Sequence, residues 1–433
     1  MKRVEASYLR AGSPQKLMLG LSGGADSMAL ALVLIVLREQ HGFALRCIHI
    51  HHGLRTAADL DEAFVRAFCL HHELSLKIKR VHVLRAGSLE AEARAARYEA
   101  FYEELAADEG EVLVLAHHMD DQAETMLMRM MAGTGGTGLS AMRERTGAIW
   151  RPLLDSRRHD IMQYLMPRGQ AWREDESNED ERHFRNALRR RLMPVVEDMS
   201  PAAVPNLYRT SIILADEEEY WAGYTRDWLN ANASTAPPFL FLMVQPLLEQ
   251  PIAVQRRVLR ALCAQANIAL DFAQTQRLVS LLHADAGSIT NLPAQVRAYR
   301  SRDRLHLMGA DPPVLPLGRL DTVSPPAERD RRIETFDQAK LDGARLRFRQ
   351  AGDRIAPLGT DGTQSLKDYL INRHVDRPLR GAWPVLARGQ DILWVVGVGM
   401  AQTAALDDAT NRRVTFRYVG RLPDEYGDQT QRK

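Results

Sequence analysis

The segment KLMLGLSGGADSMALALVLIVLREQ (16–40) constrains the fold more than any other stretch of the chain. A short continuous apolar run, a turn with two glycines and a long apolar helix pattern follow one another without a break. That is how a buried parallel strand passes into its crossover helix. The alternation continues downstream. ALRCIHIHH (44–52) reads as a second strand, TAADLDEAFVRAFCLHHE (56–73) as a helix and SLKIKRVHV (75–83) as a third strand. SLEAEARAARYEAFYEELAADEG (88–110) is a helix with Ser88 at its start and Gly110 past its end. EVLVLAHH (111–118) is the fourth strand, and DDQAETMLMRMMAG follows it as a helix. The pattern predicts an α/β domain on a parallel sheet.

At 433 residues the chain exceeds one ordinary core, so further domains are expected. TGGTG (134–138) reads as a flexible loop, and 151–169 holds one more helix. An acidic loop (174–183) precedes a basic helix from Phe184, and Pro201 and Pro205 bracket a domain boundary. Residues 206–285 read as all helical, with Leu207, Leu214 and Trp221 recurring every seven positions. The stretch 311–330 has five prolines and no apolar period, and reads as a linker. Beyond it, 345–355, 391–400 and 413–420 read as strands around one helix, 365–374. The expected organisation is a catalytic α/β domain over 1–205, a mainly helical domain over 206–310, the linker 311–330 and a small α+β domain over 331–433.

Composition narrows the function classes. A net charge of +2 argues against a uniformly basic nucleic-acid coat, but leaves room for local patches. Cys47, Cys69 and Cys263 form no C-x-x-C pair, which argues against a disulfide framework, a zinc ribbon or a Cys-ligated iron–sulfur cluster. No signal peptide is visible, and the apolar run Met28–Leu37 is too short to span a bilayer, so the chain reads as cytoplasmic with no membrane partner.

Three segments carry chemistry. In SGGADS, Gly23 and Gly24 allow close backbone approach at a helix start, where N–H groups and the helix dipole attract oxyanions, and the Ser22 and Ser27 hydroxyls add donors. Asp26 would repel phosphate unless a divalent cation lay between them, and Mg²⁺ is the natural choice. HIHHGLR (49–55) lies at the carboxyl end of the second strand, where parallel sheets bind ligands, and brings His49, His51, His52 and Arg55 there. LAHHMDDQAET (115–125) brings His117, His118, Asp120 and Asp121 to the same edge, with Glu124 one turn on from Asp120. A carboxylate cluster beside a nucleotide suits Mg²⁺, and a histidine there suits proton movement or charge stabilisation. Glu90, Arg94 and Arg97 read most simply as an exposed ion-paired helix face. Arg182, Arg185, Arg189, Arg190 and Arg191 make a basic helix suited equally to solvent or to a phosphate backbone.

SGGADS resembles the PP-loop of the N-type ATP pyrophosphatases, which cleave ATP between the α- and β-phosphates and activate a substrate as its adenylate. A loop of this kind needs no lysine for the γ-phosphate. Six stretches in order, SGGADS, HIHHGLR, EAEARAARY, AHHMDDQAET, GTGGTGL with RPLL, and DESNEDERHFRNALRRRLMP, resemble the tRNA(Ile)-lysidine synthetase family. The similarity is dense over 15–200, weaker through the middle, and resumes in RQAGDRIAPLG, SLKDYL and WPVL. It implies ATP-dependent attachment of L-lysine to the wobble cytidine of the CAU-anticodon isoleucine tRNA through an adenylated cytidine.

By this resemblance Ser22, Gly23, Gly24, Ala25, Asp26 and Ser27 would bind ATP, and Asp26 and Asp121 its Mg²⁺, with His51 as a nucleotide or base contact. Asp120, Asp121 and Glu124 would arrange metal, lysine and cytidine, with Glu124 as the holder of the lysine amine. His117 and His118 would lie next to the base, and Arg94 and Arg185 would offset charge on the adenylated base or its phosphate. The C-terminal domains would grip the tRNA, and a homodimer is left open. His51 stands where the family more often has Asn or Asp, Asp368 where it is frequently basic, and Gly381 where it is commonly acidic. The alternatives are another PP-loop tRNA-modifying enzyme such as a thiolase, against which the missing C-x-x-C speaks, and a non-catalytic tRNA-binding protein.

Overall fold

The computed structural model describes residues 1–51, 57–81, 89–106, 108–173, 183–234, 239–309, 315–360 and 362–426. Ser88, His52, Arg55, Arg182 and most of the acidic loop lie outside the described residues, as does the Glu90 side chain. The chain divides into two compact units, Met1–Tyr220 and Trp221–Lys433.

The first unit is built on six strands: β1 (Lys16–Gly20), β2 (Ala44–His51), β3 (Ser75–Arg80), β4 (Val112–Val114), β5 (Arg145–Thr146) and β6 (Ile149–Trp150), in the order β3-β2-β1-β4-β6-β5. All pairings are parallel except the edge pair β5–β6. The helices that cover the sheet are α1 (Lys2–Arg10), α2 (Ala25–His41), α3 (Ala57–His71), α4 (Leu89–Ala106), α5 (Met119–Met131), α6 (Gly136–Leu139) and α7 (Arg158–Leu165). Leu17, Met18 and Leu19 of β1 are fully buried because this central strand is covered on both faces. α2 is apolar nearly all round for the same reason, and it ends on Gly42, whose φ of +73° suits glycine.

The strand order reverses at β1. The chain moves from β1 through β2 to β3 on one side and later fills β4 on the other. The segments leaving β1 and β4 therefore diverge, and a crevice opens at their carboxyl ends, the usual ligand position in such sheets.

Several elements differ from expectation. The fourth strand is only Val112–Val114, because His118 already caps α5. TGGTG is not a loose loop: Gly136–Leu139 forms α6, and a Cβ at Gly138 would overlap the Thr134 side chain. That glycine serves close packing rather than flexibility. The basic helix is broken into α8 (Phe184–Ala187), a π-helical turn Leu188–Leu192, and α9 (Met193–Met199). Pro205 lies in the first turn of α10 (Ala203–Asn232), where a missing N–H is harmless.

In the second unit, β7 (Ala233–Ser234), β8 (Leu240–Met243), β9 (Ile289–Asn291), β10 (Arg297–Arg300) and β11 (Arg304–Met308) form an antiparallel sheet. α11 (Val244–Leu248), α12 (Ile252–Gln265) and α13 (Phe272–Leu282) accompany it. The region 206–285 is thus largely but not wholly helical, since a four-residue apolar run such as LFLM has no period to separate strand from helix. The proline-rich stretch holds a strand, β12 (Arg319–Thr322), which pairs in one sheet with β20 (Arg413–Val419), itself flanked by β13 (Ile333–Asp337). Its prolines lie outside the paired residues, so they do not interrupt the ladder. β14 (Arg345–Phe348), β15 (Arg354–Ile355), β16 (Gln364–Ser365), β17 (Pro384–Arg388), β18 (Asp391–Val395) and β19 (Gly399–Met400) surround α14 (Leu366–Asn372). Phe239 and Phe241 enter one apolar core with Ile355, Leu366, Tyr369, Trp383 and Val385, so the first sheet of this unit and its C-terminal strands are packed together. Among the described residues no helix is long and apolar enough to cross a membrane.

Candidate active site

One wall of the crevice is the loop after β1. Leu21 N–H donates to Ile48 O at 2.8 Å, and the His49 ring lies 2.8 Å from Leu21 O through Nδ1. Burial holds His49 below its ordinary pKa, so the neutral ring serves to tie β2 to this loop. Gly23 has φ +88°, a left-handed conformation that needs glycine. Gly24 caps α2 with φ −73°, and a Cβ there would meet nothing nearer than 3.5 Å. The protein itself would accept alanine at this position. The fold therefore does not require glycine here, which leaves close approach of a phosphate at a helix start as the use that does. Ser27 Oγ donates to Gly24 O at 2.9 Å and lies 3.1 Å from Ser22 Oγ, so the two hydroxyls brace the turn. Ala25 is buried as the first residue of α2.

The facing wall is the start of α5. His118 is its N-cap: Asp121 N–H donates to His118 Nδ1 at 3.3 Å, and His118 N–H donates to Asp121 Oδ2 at 3.1 Å. This reciprocal box orients the imidazole so that Nε2 faces two carboxylates, Asp121 Oδ2 at 3.5 Å and Asp26 Oδ2 at 3.7 Å. Asp26 Oδ1 is buried with no hydrogen-bond partner. Burial raises the Asp26 carboxyl above its ordinary range, although His118 and Arg158 act against it. Burial also pushes Asp121 upward, but His118, His117, the backbone N–H of His118 and Arg189 together hold it below its ordinary value. Two carboxylates, one with an orphan oxygen, suit Mg²⁺, which takes one or two carboxylates and fills its shell with phosphate and water. Among the described residues no group of three or more His, Cys, Asp or Glu is arranged to hold a metal by itself.

Deeper on α5, Glu124 is almost sealed from solvent and is gripped by Arg189, with Nε at 2.7 Å from Oε1 and Nη2 at 2.8 Å from Oε2. The same Nη2 lies 3.3 Å from Asp121 Oδ1. Burial raises the Glu124 carboxyl despite Arg189. Arg185 donates from Nη2 to Thr125 Oγ1 at 2.7 Å, and its buried Nε has no hydrogen-bond partner. His117 is half-buried, and its Nδ1 has no partner. Burial is the main cause that pushes its pKa down to about 3, with Arg151, Arg97 and Arg94 adding to it against Asp121, so the ring is neutral.

Asp26, His118, Asp121, Glu124 and Arg185 thus converge. Three expected residues take their nearest partners outside this cluster, although Asp120 Oδ2 also lies 3.6 Å from His118 Nδ1. Asp120 accepts from Arg157 Nε at 3.1 Å and from Arg158 N–H at 2.8 Å, while Arg157 also reaches both Glu197 oxygens at 3.2 Å. Arg94 is exposed and lies 5.0 Å above the Tyr98 ring, and its charge also bears on His117; its expected ion-pair partner Glu90 has its side chain outside the described residues. His51 Nε2 lies 3.1 Å from Asp59 Oδ1 of α3. Sequence reasoning named Arg189 only as one of five arginines on a basic helix, and did not name Arg157. In a run of arginines only the i, i+4 relation of Arg189 to Arg185 marks which one turns inward.

Residues 2–196 match the PP-loop domain family, 242–306 the TilS substrate binding domain, and 344–416 the TilS substrate C-terminal domain. The tRNA(Ile)-lysidine synthase of Geobacter sulfurreducens is 33% identical, over 94% of this chain and 93% of its own length. That of Thermus thermophilus is 36% identical over 90% of this chain and 70% of its own length. The Xylella fastidiosa (Temecula1) protein is 34% identical over 90% and 91% respectively. Similarity of this extent, running through the nucleotide loop and on into both substrate domains, makes the chain a member of the tRNA(Ile)-lysidine synthase family of ATP-dependent PP-loop ligases.

Proposed function

We propose that the protein joins L-lysine to the wobble cytidine of the CAU-anticodon isoleucine tRNA, giving lysidine and changing the codon read from AUG to AUA. ATP adenylates the cytosine 2-carbonyl oxygen with loss of pyrophosphate, and the lysine ε-amine then displaces AMP. The observation that carries this reading is the crevice at the strand-order reversal, with the Gly24 helix start on one wall and Asp26, Asp121 and Glu124 converging beside it.

The backbone of 23–27 holds the phosphates, with Ser22 and Ser27 bracing the turn. Asp26 and Asp121 are the ligands for Mg²⁺, which when bound supplies charge to neutralise the phosphates. Glu124 receives the lysine ammonium. His118 fixes the relative position of the two metal-facing carboxylates through its cap and its Nε2. His117, held neutral, offers Nδ1 as an acceptor to the base. Arg185 and Arg94 offset negative charge on the activated base or its phosphate. Asp120 is a positioning residue that acts through Arg157, and His51 braces the β2 end near the nucleotide through Asp59. The regions 206–310 and 331–433, joined by 311–330, bind the tRNA, and 341–380 carries eight Lys/Arg against five Asp. Every group named belongs to one chain, and sedimentation velocity would show whether a homodimer forms. Free tRNA as substrate places the reaction in the cytoplasm.

Purified protein with ATP, Mg²⁺ and radiolabelled lysine should label the CAU isoleucine transcript and leave methionine tRNAs unlabelled. Label no higher than that of an Asp26→Ala control would overturn the reading.

A further inference from the structure

Three carboxylate oxygens in the crevice accept from a single side chain. Arg189 reaches Glu124 Oε1 at 2.7 Å, Glu124 Oε2 at 2.8 Å and Asp121 Oδ1 at 3.3 Å. Three acceptors around one cation match the three N–H donors of a primary ammonium as well as they match a guanidinium fork. The pair is also asymmetric in burial: the Glu124 side chain is 3% exposed and that of Arg189 30%. Arg189 thus covers the solvent side of a sealed carboxylate, where any cation arriving through the crevice must go. It is carried by the π-helical turn Leu188–Leu192, a local departure from the α-helical ladder of the kind found at functional positions. Arg185 Nε, buried and without a hydrogen-bond partner, lies 3.9 Å from Glu124 Oε2. A second positive charge therefore stays beside Glu124 when the first leaves, so that exchange never strands a buried anion.

Resting on the lysine-ligase reading above, we infer that Arg189 is an internal stand-in for the substrate's ε-ammonium, occupying the Glu124–Asp121 subsite until lysine exchanges with it. Binding is then a swap of one cation for another. An amino acid with the same stem but no terminal amine cannot make the swap, so the occluding arginine is a specificity-determining residue as well as a lid. The lysine affinity observed is lowered by the fraction of time Arg189 holds the subsite.

The test uses the intact protein with the CAU transcript and α,β-methylene ATP, which blocks α,β-cleavage. Phenylglyoxal modification of Arg189, read by peptide mass spectrometry, should rise severalfold with L-lysine and stay unchanged with L-norleucine. Protection by lysine, or no change, overturns the exchange. In equilibrium dialysis, Arg189→Gln should bind lysine about tenfold more tightly than the parent if the arginine holds the subsite for roughly nine-tenths of the time. Arg189→Lys, which keeps a tethered cation, should fall between the two. Equal or weaker lysine binding by a folded Arg189→Gln protein also overturns it, and should that variant not fold, the labelling of the parent protein decides. Lysidine formation by the parent on the same transcript separates the two claims. Its absence removes the ligase reading, whereas its presence with an Arg189 indifferent to lysine removes only the exchange.

Discussion

At the scale of single residues, the site sets stability against function in opposite directions at neighbouring positions. Gly24 has a φ that any residue adopts and room for a Cβ, so Gly24→Ala should leave the melting temperature nearly unchanged. If this loop cradles phosphate as proposed, the added methyl group crowds it, and ATP–pyrophosphate exchange on the tRNA should fall by about tenfold or more, on the order of one lost charge-assisted hydrogen bond. A melting temperature lowered as much as the exchange would show that the glycine serves the fold alone. Asp26 behaves inversely. Its buried oxygen lacks a partner and burial raises its pKa, so Asp26→Asn should stabilise the unliganded protein by about 1 kcal/mol while abolishing exchange. The pH dependence follows from the signs. Asp121 is depressed, and its contribution is present above the unfolded pKa of about 3.9 and lost as pH falls through the folded value. Asp26 is raised, so its ionised form opposes folding at neutral pH and protonation relieves this on acidification. The advantage of Asp26→Asn in urea unfolding should therefore be largest near pH 7 and shrink towards pH 4. The residue types of this site were legible in the sequence, because phosphate loops and carboxylate clusters sit at strand ends. Their directions were not: Asp120 and Asp121 are adjacent in the chain, yet one turns to Arg157 and the other to His118.

At the scale of elements, the start of α5 is held by two independent devices. The His118–Asp121 box fixes its first turn, and the Asp120–Arg157–Glu197 bridge ties that turn to α7 and α9. Arg157→Gln should cost roughly 1–3 kcal/mol in urea unfolding, since it leaves two half-buried carboxylates short of a partner. Because it reaches the reaction only through the position of α5, which carries both Asp121 and Glu124, it should lower kcat for lysidine formation and raise the KM for lysine together. A raised lysine KM with normal kcat would place Arg157 in substrate binding instead. Long elements were readable from the chain because apolar period and length agree, as in α2 and β1. The short ones were not. α6 hides in TGGTG because one of its glycines, Gly138, serves close packing against Thr134, and β12 hides between prolines because four residues pair only by virtue of β20, about a hundred positions away.

For the whole molecule, each unit has apolar cores of its own: Leu17, Leu19, Leu30 and Trp150 in the first, and Leu259, Leu278 and Leu305 in the second. The nucleotide loop belongs to the first unit alone. Differential scanning calorimetry with Mg²⁺ and α,β-methylene ATP should raise one transition and leave another in place, by about 2.7 kcal/mol at a hundredfold excess over Kd. A uniform shift of a single transition would mean that the units melt as one. The core shared by Phe239 and Phe241 with Trp383 and Val385 bears on how such proteins can be recombined. The matched family segments end at 306 and resume at 344, which invites grafting a relative's C-terminal part at that gap. A graft made there would import Trp383 and its neighbours without the two phenylalanines they pack on. A chimera that retains the native partnership has to be cut upstream of residue 239, so that strand and tail travel together.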